Sequence, residues 1–254
     1  MNIMFIASDN NCYHGAFLSM VSLADLLQER YHHRVLVVLP REGSGAALLD
    51  ERGIRHIRIR SYSWIMKLED RGKVRIFLKD ILKLIYNVRA SRGIADLIRR
   101  EQIDLVHINT TFTCMGARAA RRTGTPLVWH LREFLEEDQS RRIRFRRRGY
   151  RLMRKADRIA AISQSIYQKY RPIFGEEKLR VVYNGIEPED YDCPEHEIFR
   201  EEEVRIVFVG GLYEHKRPSM AVQGCILLRQ RGYENLSFAW SARAVRRMRS
   251  GCAT

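Results

Sequence analysis

No stretch of this sequence approaches the roughly 20 consecutive apolar residues that span a bilayer. The opening residues, MNIMFIASDN, have no positively charged n-region and no long apolar run, so they read as a first core strand and not as a signal peptide. Together these absences predict a cytoplasmic protein, one that meets a membrane only peripherally, from its inner face. The five cysteines (Cys12, Cys114, Cys193, Cys225 and Cys252) include no C-x-x-C pair and have no histidine at zinc-finger distance. They read as free thiols of a reducing compartment, and no metal site is expected. Acidic residues are in deficit: 30 Asp plus Glu stand against 45 Lys plus Arg, a formal net charge of +15. A chain so basic attracts anions, whether nucleotide phosphates, anionic lipid head groups or nucleic acid, and charge alone does not choose among them. There is no G-x-G-x-x-G and no G-x-x-x-x-G-K-[ST], which leaves out the dinucleotide fingerprint and the P-loop. Zinc-finger spacing, RRM-type aromatics and a KH loop are missing too, so specific nucleic-acid binding is not expected.

What is present is enough to build a core: 45% of residues are hydrophobic and 9% aromatic. The apolar run Asn2 to Ala7 predicts a strand, and Phe17, Met20, Val21, Ala24 and Leu27 mark one buried face of a helix. Arg34 to Leu39 (RVLVVL) is nearly continuous and β-branched, as in a strand covered on both sides. A short helix is predicted over Gly45 to Arg52 and a strand over Ile54 to Ile59. A long helix over Lys73 to Arg100 follows, with Gly93 as a point where it kinks or divides. Strands over Asp104 to Ile108, Pro126 to Trp129, Arg158 to Ile162 and Leu179 to Tyr183 alternate with helices over Met115 to Arg122 and around Gln164 to Tyr170. Apolar strands alternating with helices predict a doubly wound, Rossmann-like α/β domain with a parallel sheet over residues 1–185. Its ligands belong at the carboxyl ends of the strands.

Residues 186–203 are acidic, contain Pro188 and Pro194, and read as a linker. A new β-turn-α unit begins at residue 204 with VRIVFV, Gly210-Gly211 and a helix reaching about Gly232, and a further strand starts at Leu236. The second Rossmann-like domain, over 204–237, is thus expected to be incomplete. Residues 238–254, rich in arginine, read as an aberrant basic tail of the kind out-of-frame translation produces.

Five stretches are candidates for chemistry. Gly15 lies in the loop after the first strand, just before a helix N-terminus, where backbone N–H groups can approach an anion. Asn109 and Thr110 follow the strand DLVHI at the ligand-facing edge, with Thr111 or Thr113 available as helix caps. His130 follows the strand PLVW, beside Arg132 and Glu133, and a histidine there can bond a sugar hydroxyl or a phosphate. Arg141 to Lys155 holds nine cations, with Ile143, Arg147, Tyr150 and Arg154 on one helical stripe. That run is either a solvated face or a contact for an anionic membrane surface. Finally, Gly210 and Gly211 after a strand, with Lys216 and Arg217 before a helix, suit a diphosphate.

The segments HGAFLS, DLVHINT, PLVWHLREF, ADRIAAISQSI, VVYNGIE and IVFVGGLYEHKRP, in this order over roughly residues 1–237, resemble family-4 glycosyltransferases of the GT-B fold. The resemblance implies two Rossmann-like domains and transfer from a UDP- or GDP-linked sugar with retention of configuration. It implies no metal and no other cofactor. The acceptor would be a glycan, a lipid-linked intermediate or a small molecule. Gly15 then matches the family's first-loop glycine near the reacting groups. His130 matches the cleft histidine that contacts the transferred sugar, and Lys216 the lysine that neutralises the leaving diphosphate. The chain departs from the pattern in three places. A single glycine, preceded by His14, stands where the first loop often has two. Gly211 occupies the arginine position of G-R-L-x-x-x-K. The E-x7-E segment that grips the donor is absent. Low activity for this chain is therefore expected, and the alternative is a non-catalytic module that binds an anionic membrane surface through residues 141–155.

Overall fold

A computed structural model of the chain describes residues 1–70, 74–185, 203–211 and 216–241. By its contacts the chain divides into two units, Met1–Gly185 and Ile186–Thr254.

In the first unit the apolar runs become the strands of one parallel sheet. These are β1 (Asn2–Ile6), β2 (Arg34–Leu39), β3 (Arg55–Arg58), β5 (Leu105–Ile108), β6 (Leu127–Leu131), β8 (Arg158–Ala161) and β9 (Leu179–Val181). The seven strands lie in the order β3-β2-β1-β5-β6-β8-β9. Successive side chains leave a strand on opposite faces, and both faces here are covered. Met4, Ile6, Leu36 and Val38 join one buried cluster, whereas Ile3, Phe5, Val35, Val37 and Leu39 join another. Helices α1 (Gly15–Glu29) and α2 (Gly45–Glu51) contribute to the second cluster through Phe17, Met20 and Leu49. Helices α3 (Val74–Arg100), α4 (Met115–Thr123), α5 (Arg146–Met153) and α6 (Gln164–Phe174) contribute to the first. Strand order reverses between β1 and β5, so the carboxyl ends of these two strands form the switch point at which such sheets bind ligands.

Local chemistry sets the ends of several elements. Gly124 takes a left-handed φ of 73° after α4 and returns its N–H to Ala120 O. Ser163 caps α6, accepting from Ile166 N at 3.3 Å. α3 is one continuous helix, so Gly93 does not divide it. α6 runs past Tyr170 to Phe174 with Pro172 inside it.

Four sequence expectations are corrected. Strand β6 continues through His130 and Leu131, which pair with Ala160 and Ala161 of β8, so His130 lies inside the strand and not after it. Neither Thr111 nor Thr113 caps α4: its cap position is Cys114, with no side-chain bond. The basic run is not a single helical stripe. Arg141–Ile143 forms β7, which pairs antiparallel with β4 (Ile65–Lys67), and α5 begins only at Arg146. Gly149 lets α5 press onto this pair, since an added Cβ would stand 2.6 Å from Ile143 Cγ2.

The second unit, as far as it is described, is a β-α-β unit of β10 (Val204–Val209), α7 (Pro218–Gln230) and β11 (Leu236–Ser241). Its strands pair in parallel from Val204↔Leu236 to Val209↔Ser241. Here the fourth correction falls. Phe238, Ala239, Trp240 and Ser241 belong to a regular strand and not to an aberrant tail; residues 242–254 lie outside the described residues, as do 186–202 of the linker. Val207, Met220, Ile226, Leu227 and Trp240 are exposed, and α7 has no buried residue.

Candidate functional site at the carboxyl edge of the sheet

The loop after β1 is held by its own side chains. His14 Nδ1 meets Asp9 Oδ2 at 2.8 Å, and Asn11 Oδ1 accepts from Tyr13 N at 2.9 Å. Asn10 is buried and donates to Arg41 O at 3.0 Å. Gly15 opens α1, exposed, and a Cβ there would meet nothing within 4 Å. The first turn of α1 contains no acidic side chain, so its N–H groups face the switch point without a built-in anion.

The ends of β5 and β6 form a bonded cluster. Asn109 is 1% exposed and donates from Nδ2 to Ala16 O in α1 at 2.8 Å. Arg132 Nε donates to Asn109 O at 3.0 Å and to Asn109 Oδ1 at 3.2 Å, and its Nη1 reaches Asn184 Oδ1 at 2.7 Å. Four chain segments, from α1 and from the ends of β5, β6 and β9, are thereby tied together. Glu133, half-buried, accepts from Thr111 Oγ1 at 2.6 Å and from Thr111 N at 3.2 Å. Thr110 is buried; its carbonyl accepts from Trp129 Nε1 at 3.0 Å. Trp64, stacked on Trp129 at 5.9 Å, donates to Thr111 O at 2.6 Å.

Two histidines sit behind this cluster. His107 of β5 and His130 of β6 are 7% and 4% exposed, with ring centroids 5.7 Å apart. His107 Nδ1 and His130 Nε2 are buried without a hydrogen-bond partner among the described residues. Burial pushes the His107 imidazole down to about 3, and the charge of Arg132 acts in the same direction. Burial likewise pushes His130 down to about 2, helped by Arg132 and His107 and opposed by a bond with the Val182 backbone. Both rings are therefore neutral near pH 7, and each can offer one donor and one acceptor. Burial lowers Arg132 to about 10, against the pull of Glu133. It raises the Glu133 carboxyl, against the bonds from Thr111.

Residues 13–190 match the family described as Glycosyltransferase Family 4. The chain belongs to this family. Its fold is similar to that of Anabaena Alr3699/HepE in complex with UDP, with 17% identity and a TM-score of 0.63 over 95% of this chain and 70% of that one. It is similar to the lipopolysaccharide outer core galactosyltransferase WaaB, with 13% identity and a TM-score of 0.63 over 99% and 71%. A glycosyltransferase from Rickettsia africae matches at 12% identity and a TM-score of 0.62 over 96% and 69%. No curated protein sequence matches the chain significantly. The architecture is thus that of the GT-B glycosyltransferases, in keeping with the family.

In the second unit, Gly210 and Gly211 follow β10. Gly210 N bonds Ser241 O at 3.1 Å, and Trp240 Nε1 bonds Gly210 O at 2.7 Å. Lys216 is exposed just before α7. Arg217 takes the cap position with a left-handed φ of 49°, uncommon for a residue with a Cβ, and Pro218 starts the helix. The first turn of α7 also lacks an acidic residue. Residues 212–215 of the same motif lie outside the described residues.

Among the described residues Cys12, Cys114 and Cys225 are free thiols, and no group of three metal-ligating side chains occurs. No described helix is long and apolar enough to cross a membrane. Much of the basic run is engaged locally: Arg141 lies over the Phe112 ring at 5.9 Å, Arg146 pairs with Glu136 at 3.5 Å, and Arg154 Nε donates to Ile173 O at 2.9 Å. His107 belongs to the candidate stretch after DLV but has no role of its own from the sequence, and neither has Trp64 or Asn184. His107 is hidden in an apolar strand, and Asn184 reads as half of an Asn-Gly turn, so only the closing of β9 beside β8 shows its use by Arg132.

Proposed function

We propose that the chain transfers a glycosyl group from a UDP- or GDP-linked sugar, with retention of configuration, to a glycan, lipid-linked or small-molecule acceptor. Residues 1–185 form the acceptor side, and the unit starting at residue 204 supplies part of the donor side. The observation that carries this reading is His130. A neutral, buried imidazole with an unpartnered Nε2 beside the switch point is suited to bond a sugar hydroxyl. Gly15 lets the reacting groups approach the N–H groups of α1. Arg132 and Glu133 face the acceptor side together with Thr110, and Asn109 and Thr111 hold them in place. In the transfer, the bond between the anomeric carbon and the diphosphate oxygen breaks, a bond to the acceptor oxygen forms, and the acceptor proton is released. Gly210 and Gly211 admit the diphosphate to the start of α7, and Lys216 with Arg217 balance its charge, most strongly as the leaving group gains charge. The protein would work in the cytoplasm and meet the inner membrane face only peripherally.

Calorimetric titration of the chain with UDP, GDP and their sugars tests the proposal. Lys216→Ala is expected to weaken binding of both nucleotide and nucleotide sugar by about tenfold or more, the loss of one charge-assisted bond. His130→Ala is expected to weaken only the nucleotide sugar. No binding by the folded wild type, or equal binding by Lys216→Ala, would overturn the assigned donor site.

A further inference from the structure

We propose that this chain carries a second anion site, away from the carboxyl edge of the sheet: a pocket for a phosphate group between α3, α4 and α5. A cavity of about 340 Å³ lies there, lined by Val88 and Ser91 of α3, Arg118, Arg121 and Arg122 of α4, and Leu152 of α5. α4 starts at the carboxyl edge and runs away from it. At 1.5 Å per residue, Arg121 and Arg122 in its last turn are on the order of 10 Å from that edge. The pocket is thus separate from the cluster around His130.

The spacing of the arginines, i, i+3 and i+4, places them on one face of α4. No carboxylate pairs with any of the three among the described residues. Like charges so spaced repel one another, and the partial negative charge at the end of α4 offsets this only in part. An anion with two or more charges lying between the guanidinium groups turns that repulsion into attraction, and their planar forks match phosphate oxygens.

Ser91 supplies an independent observation. It is 1% exposed, lines the cavity, and its Oγ has no hydrogen-bond partner. A buried hydroxyl without a partner is destabilising, and a helical serine ordinarily satisfies it on the carbonyl one turn back. A phosphate oxygen in the pocket would accept from it. Val88 and Leu152 supply apolar walls. Ile81, Leu84 and Ile85, all partly exposed, continue the Val88 stripe along α3. The ligand chemistry is therefore a phosphate monoester or diphosphate, from either a soluble phosphorylated compound or a phospholipid head group whose chain lies on that stripe.

The test measures two probes on the wild type, Lys216→Ala, Ser91→Ala and the double variant Arg121→Gln/Arg122→Gln. Both of these arginines are exposed, so the fold is retained, which circular dichroism checks. The first probe is inorganic pyrophosphate, titrated calorimetrically at low salt. The second is co-sedimentation with phosphatidylcholine vesicles containing phosphatidic acid, against phosphatidylcholine alone. A soluble source predicts pyrophosphate binding that survives Lys216→Ala, weakens in Ser91→Ala, and falls by about tenfold or more in the double variant. A lipid source predicts that the double variant loses sedimentation with the phosphatidic acid vesicles. If the double variant matches the wild type with both probes, or the wild type binds neither, the pocket is not an anion site. If pyrophosphate binding disappears in Lys216→Ala and is untouched in the double variant, the only phosphate site is the proposed donor site.

Discussion

Replacing Asn109 by alanine separates a ligand-facing residue from a scaffold residue. The side chain is 1% exposed; its Nδ2 donates to Ala16 O at 2.8 Å, and its Oδ1 accepts from Arg132 Nε at 3.2 Å. Losing the neutral bond costs about 1 kcal/mol. The bond from the guanidinium would cost about 1.5–3 kcal/mol on its own. Arg132 keeps the backbone carbonyl of residue 109 at 3.0 Å, so the lower end applies. The sum is about 2–3 kcal/mol. At about 2–4 °C per kcal/mol for a unit of this size, the melting temperature of the first unit should fall by roughly 4–12 °C. Urea denaturation followed by circular dichroism gives the free energy directly, with an unchanged slope if only stability is altered. Combining Asn109→Ala with Arg132→Ala should give less than the sum of the single effects by about 0.5 kcal/mol or more, because the two share bonds. A loss below about 0.5 kcal/mol for Asn109→Ala, the range of an ordinary surface change, would refute the bonded cluster.

The buried histidines predict how stability depends on pH. Their folded values, about 3 for His107 and about 2 for His130, lie below the ordinary 6.5, so the unfolded chain binds more protons as pH falls. Their contribution is fully present above about pH 6.5 and is lost as pH drops toward 3, at about 1.4 kcal/mol per pH unit for each ring. Unfolding free energies at pH 7, 6 and 5 should rise less steeply with pH in His107→Leu, and an unaltered slope would contradict the neutral pair. Two glycines should behave oppositely. An added Cβ at Gly45 would stand 2.4 Å from Cζ of the buried Phe17 ring, so Gly45→Ala should destabilise by about 1–2 kcal/mol despite the better helix propensity of alanine. Gly15→Ala meets nothing within 4 Å and should leave the melting temperature nearly unchanged, so a loss of transfer there would report on ligand approach.

The sequence by itself determined the order of elements and much of the chemistry. RVLVVL could only be a strand covered on both sides, and β2 occupies those residues exactly as the apolar run is bounded, from Arg34 to Leu39. The motif order placed the family, because spacing along the chain is preserved where contacts are not visible. What tertiary structure decided is where polar side chains end. Thr111 reads as a helix cap, yet it bonds Glu133, 22 residues away, and that pairing exists only once β5 and β6 are neighbours. His130 reads as a loop residue after PLVW, but pairing with Ala160 of β8 draws it into the strand and out of water, which fixes it as a neutral group. Ala239, Trp240 and Ser241 carry no strand signal of their own among arginines, and become a strand by pairing with β10. Arg118, Arg121 and Arg122 look like any solvated helical face until α3 and α5 close a cavity over them. Periodicity records which residues are hidden within one element. Hydrogen-bond partners, proton affinities and cavities depend on segments far apart in the chain, and these are fixed only when the sheet brings them together.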